Sequence, residues 1–157
     1  MKKLSIILTA IFFILFLTAC RYDEGPMISF RSVEKRVAQS FLLVEFTKNG
    51  VDMTQELTDS CGNYWRFSGS KDPYQPLTFV VEGSIHITNN YVPMGGDWKL
   101  SNNKKQIELN TTHNFEGLGP FQNNIITTWK IERLTKDEMW LSCTYNNAYY
   151  YIKFEVK

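Results

Sequence analysis

From Ser40 onward the chain is a succession of short runs in which apolar and polar side chains alternate. Asn, Gly, Asp and Pro stand between the runs. A period of two puts every second side chain on one face of a strand. Many short runs rich in aromatic and β-branched residues read as an all-β sandwich or barrel. The runs are 40–47 (SFLLVEFT), 64–69 (YWRFSG), 77–83 (LTFVVEG), 84–88 (SIHIT), 97–101 (DWKLS), 105–111 (KQIELNT), 125–134, 138–146 and 149–156. Asn49-Gly50 is a turn signal after the first. SIHIT is expected to pair with LTFVVEG across Glu82-Gly83. Residues 89–96, with Pro93 and Gly95-Gly96, read as a longer connection, and 114–124 as a loop. Asn102-Asn103-Lys104 joins a clear hairpin. Thr135-Lys136-Asp137 and Asn147-Ala148 separate the last three runs so tightly that they must be antiparallel neighbours.

Alternation also assigns faces. Trp129 and Ile131 oppose Lys130 and Glu132. Ile107 and Leu109 oppose Gln106 and Glu108. Trp98 and Leu100 oppose Asp97 and Lys99, and Ile152, Phe154 and Val156 oppose Lys153 and Glu155. Each strand has a wet face and a dry one, as a sheet closed around one core requires. Residues 30–39 (FRSVEKRVAQ) hold a helical turn or two. Eight or nine strands with hairpin links favour an antiparallel up-and-down barrel over residues 29–157. A sandwich is the alternative, but it needs long crossovers and this chain has few.

The start of the chain follows another pattern. Lys2 and Lys3 precede an apolar core over 4–17 (LSIILTAIFFILFL), which suits a signal peptide and is short for a spanning helix. Leu17-Thr18-Ala19-Cys20 resembles the bacterial lipobox. The resemblance implies cleavage before Cys20 and lipidation of its thiol, so residues 1–19 are a lipoprotein signal peptide and 20–28 a lipidated tether. An ordinary secretory signal and a retained anchor are the alternatives. Two or more acyl chains hold a bilayer stably where one does not. Gly25-Pro26 suits a tether. By the same resemblance, Arg21 disfavours inner-membrane retention, and the expected location is the cell envelope, with the outer membrane as the anchoring bilayer.

Removal of residues 1–19, which carry two of the 17 Lys and Arg, leaves 138 of 157 residues with 15 cations against 16 Asp and Glu. That is one domain, long enough for a real core. A balanced charge argues against nucleic acid as a partner. The cluster Arg31, Lys35 and Arg36 is interrupted by Glu34 and reads as a solvated face. Cys61 and Cys143 would remain after lipidation. They form either one disulfide, which the envelope permits, or two free thiols. His86 and His113 stand alone, without ligand spacing, so no metal and no cofactor is expected.

Trp98-Lys-Leu100, Ile107-Glu-Leu109, Trp129-Lys-Ile131, Leu134-Thr135, Glu138-Met139, Leu141 and Ile152-Lys-Phe154 together resemble the lipocalin-like lipoproteins of Gram-negative bacteria. So do ISFRSVEKRV ahead of the first strand and Asn49-Gly-Val-Asp-Met-Thr54 after it. The resemblance covers most of the mature chain and implies an eight-stranded barrel able to hold a small apolar ligand. It departs from the family at Gln39-Ser40-Phe41, where a Gly-x-Trp usually closes the base. Phe41 is expected to plug the base instead.

No nucleophile elbow or His-Glu-x-x-His is present. Gly117-Leu118-Gly119 precedes Pro120 between strands and is no dinucleotide loop. Asp137-Glu138 sits at a turn. The chain is therefore not expected to be an enzyme. Trp65, Trp98 and Trp129 point inward, where they either fill the core or line a ligand cavity. Tyr150 should face inward with Ile152, and Tyr149 and Tyr151 outward. Carriage of a small apolar ligand is placed first. Next comes a plugged barrel that contacts an unknown partner protein through loops such as 70–76 and 114–124.

Overall fold

A computed structural model describes residues 31–70, 77–82, 94–111, 118–122 and 124–157. The expected signal peptide, the tether with Cys20, the strand at 84–88, and both His86 and His113 lie outside the described residues. Among the described residues no helix is long and apolar enough to cross a membrane.

The elements are α1 (Val33–Val37), β1 (Ser40–Lys48), β2 (Val51–Asp52), α2 (Thr54–Cys61), β3 (Tyr64–Phe67), β4 (Leu77–Glu82), β5 (Met94–Ser101), β6 (Gln106–Thr111), β7 (Ile125–Leu134), β8 (Glu138–Tyr145) and β9 (Ala148–Val156). Strands β1 and β3 to β9 pair antiparallel in chain order, and β9 returns to β1. The result is a closed eight-stranded barrel. The two-residue β2 is an extra strand folded back on the end of β1, with Lys48 opposite Val51. The turn between them has φ of 50° at Asn49 and 79° at Gly50, both left-handed, as a two-residue hairpin requires. Closure runs from Phe41 opposite Val156 to Lys48 opposite Tyr150, with a bulge between Leu43 and Glu45.

The alternating faces are as expected. Ile107, Leu109, Trp129, Ile131, Ile152 and Phe154 are buried, and Tyr150 joins them at 4% exposure while Tyr149 stands 48% exposed. Two details differ. Both edges of β4 are taken, by β3 and by β5, so the partner of LTFVVEG is Met94–Ser101 and not SIHIT. Gly95-Gly96 belongs to β5 and is no connection. A Cβ at Gly96 would lie 1.9 Å from the Asn110 carbonyl oxygen, and one at Gly95 would lie 2.9 Å from that of Phe79. Strand glycines of this kind mark close backbone approach rather than a turn.

The helices fill the two ends differently. Helix α1 starts at Ser32, whose hydroxyl accepts from the Lys35 N–H, and lays Val33 and Val37 into the core. Arg36 beside them is also buried, and its guanidinium donates to the Leu134 carbonyl at 2.6 Å, tying α1 under the β7–β8 turn. Phe41 is fully buried above it, against Phe67 and Phe154. Helix α2 lies beside the C-terminal half of β1, which β3 does not reach. Thr54 Oγ1 accepts from the Phe46 N–H there, and Leu57 and Cys61 face inward.

Candidate functional site

Trp65, Trp98 and Trp129, three of the four tryptophans, come from β3, β5 and β7, alternate strands whose inward positions face the barrel interior. Trp65, Trp98 and Trp129 are 0%, 2% and 0% exposed. Their indoles are held differently. Trp129 Nε1 donates to Thr127 Oγ1 at 2.9 Å, and Trp98 Nε1 to the Ser68 carbonyl at 3.2 Å. Trp65 Nε1 and the hydroxyl of inward-facing Thr111 are buried with no partner among the described residues.

Aromatic rings occupy the space between Trp65 and Trp129. Phe121 stacks on Trp129 at 5.3 Å and 19°. Its other side meets Trp65 at 5.3 Å and Phe46 at 5.9 Å. One ring thus touches β1, β3 and β7, strands that lie around the barrel. Trp65 also stacks on Phe79 at 6.2 Å and 5°, and packs against Phe154 at 5.2 Å. Trp98 meets Phe67 edge-on at 6.3 Å. Such offset and edge-to-face pairs are the favoured aromatic geometries.

Phe121 was not an expected member of this cluster, since 114–124 reads as a loop for contacting a partner. The described part of that loop turns inward instead, with Leu118 and Pro120 buried beside it. The turn closes through the Phe121 N–H to the Leu118 carbonyl at 3.1 Å. Gly119 makes it feasible. Its φ is +58°, and a Cβ there would fall 2.7 Å from the Tyr150 ring. A polar stretch holding Leu118 and Phe121 around Gly119-Pro120 is the signal that could have revealed an inserted plug.

Cys61 and Cys143 are free, buried thiols, so the disulfide reading is corrected to its alternative. Cys61 Sγ is turned back along its own helix, 3.1 Å from the Leu57 carbonyl. Burial pushes both thiols up to about 12. A thiol that stays protonated is a poor nucleophile and a poor metal ligand. Among the described residues no group of three His, Cys, Asp or Glu could hold a metal ion. Asp137 is exposed in the β7–β8 turn, and Glu138 is engaged by Arg133 Nε at 2.6 Å.

A concavity of about 380 Å³ lies on the outer wall, where β4 to β7 pass side by side. Its lining includes Leu77, Asp97, Lys99, Glu108, Asn110 and Ile126. Lys99 and Glu108 are cross-strand partners bonded at 2.9 Å. The Lys99 ammonium holds the Glu108 carboxyl below its ordinary value. Ile126, 60% exposed, stands across from Asn110 and gives the rim an apolar edge.

No protein-family model matches the chain, and no curated protein is similar to it.

Proposed function

We propose that the chain is a lipid-anchored protein of the bacterial envelope whose lipocalin-like barrel is plugged by its own side chains and acts through its outer surface on a partner. One observation carries the choice of a plugged barrel over a carrier: Phe121 lies in contact with Trp65, Trp129 and Phe46, where an apolar ligand would sit. The lipocalin-like reading draws support from eight strands in chain order closed first to last, the arrangement of that barrel class. The anchor reading rests on the lipobox resemblance at 17–20.

Native mass spectrometry of the chain purified from bacterial envelopes tests this. The expected spectrum is the polypeptide from Cys20 plus its covalent lipid, unchanged after incubation with envelope lipid extract. An additional mass that leaves on collisional activation would restore ligand carriage. A mass without lipid at Cys20 would remove the anchor.

Carriage keeps one observation in its favour. Among the described residues Trp65 Nε1 and Thr111 Oγ1 are interior polar atoms without partners, and leaving such atoms unpaired costs about 1–3 kcal/mol each. A ligand that displaced Phe121 and offered an acceptor would satisfy them.

A further inference from the structure

Among the described residues the two ends of the barrel differ in charge. Around the end closed by α1, Arg31, Lys35, Lys104, Lys105, Lys136 and Lys157 are all exposed. Side-chain and backbone contacts place these segments together. Lys104 reaches Glu34 of α1 at 2.7 Å. Arg36 bonds the Leu134 carbonyl just before the turn that carries Lys136. The Lys157 N–H donates to Ser40 at 3.2 Å. Among the described residues the acids on this rim are Glu34, Asp137, Glu138 and Glu155, and each lies within an ion pair of a neighbouring lysine or arginine. At the opposite end, Lys48 stands among Asp52, Glu56 and Asp59, all exposed.

The tether arrives at the basic end. Cys20 precedes Arg31 by eleven residues, a reach of at most about 40 Å when fully extended. A lipid on Cys20 therefore keeps this end close to its bilayer, so that even weak attraction acts at a high effective concentration. Cations within a Debye length, about 8–10 Å at ordinary salt, are drawn to anionic headgroups.

We infer that the α1 end of the barrel is a docking surface for an anionic phospholipid membrane, the bilayer that also holds the anchor. The inference rests on the lipid-anchor part of the proposed function. Docking by this end stands the strands upright and turns the acidic end, about 30 Å away along strands of this length, from the membrane. It leaves the outer-wall concavity accessible from the side.

The test uses the lipidated chain on phosphatidylethanolamine–phosphatidylglycerol vesicles that contain a nitroxide-labelled lipid. A fluorophore is placed on Asp137→Cys at the basic end or on Val51→Cys at the other. The buried Cys61 and Cys143 do not compete for label. The expected result is quenching at 137 about twofold or more above that at 51 in about 0.1 M salt, fading towards equality near 1 M as screening shortens. The difference should also vanish in Lys104→Glu/Lys105→Glu/Lys136→Glu and on purely zwitterionic vesicles. Equal quenching at both positions on the anionic vesicles would overturn docking, as would an asymmetry that survives salt and charge reversal. Co-flotation with the vesicles reads the anchor separately. A chain that does not float removes the anchor reading and the inference with it, whereas a floating chain with equal quenching removes docking alone.

Discussion

At the scale of single residues, Phe121 and the two thiols carry the sharpest expectations. Phe121→Ala removes a fully buried ring that no neighbour can replace without moving Trp65 or Trp129. Urea unfolding should show a loss of about 3–5 kcal/mol, as for other buried Phe truncations. A loss below about 1 kcal/mol would mean that the ring is not inserted. The thiols set an alkaline limit. Their ordinary value is 9.0, and burial raises both to about 12. Between those values the folded chain holds protons that the unfolded chain has released, so stability falls as pH rises through the window and is fully present below it. Melting temperatures of the chain and of Cys61→Ala/Cys143→Ala, compared between about pH 8 and pH 11, should diverge, with the steeper decline in the parent. Reductant should shift neither. Residue chemistry was only partly readable in advance. Inward Trp65, Trp98 and Trp129 follow from alternation. Phe121 does not, because it sits in a turn with no period to betray its direction.

At the scale of elements, alternation was decisive wherever a strand has one wet face and short turns. The strands β7 to β9 meet both conditions, and their expected bounds agree with the observed ones to within a residue. It failed where backbone geometry overrode side-chain pattern. Met94-Gly95-Gly96 carries no alternation to read, yet β4 and β6 approach so closely that only glycine fits. Helix α2 escaped for a different reason. Its apolar stripe is two residues, Leu57 and Cys61, too little to stand out from the polar TQELTDSC around it. The close approach at Gly96 is testable. Gly96→Ala must push β5 from β6, and a cost of about 1–3 kcal/mol is expected from overpacking of this kind. Thermal melts would read it, and hydrogen exchange should rise first at Asp97 to Leu100. Wild-type protection there would mean that the strand accommodates the methyl group.

At the scale of the whole molecule, β1 completes the sheet only with β9. Phe41 waits for Val156, and Phe46 for Ile152, across more than a hundred intervening residues. Contacts of such separation are slow to form because a long loop must close before they are rewarded. A chain that emerges from its N-terminus onward therefore holds β1, with Phe41, Leu43 and Phe46 turned inward, without its last partner until Ala148–Val156 has arrived. An open strand edge of this kind is a template for self-association. Deletion of residues 148–157 should thus yield aggregates rather than a smaller barrel, measurable by sedimentation, and refolding of the intact chain should slow when a bulky tag delays β9. The circular sheet makes β9 a checkpoint of synthesis: quality control of this protein is a question asked at the strand that closes it.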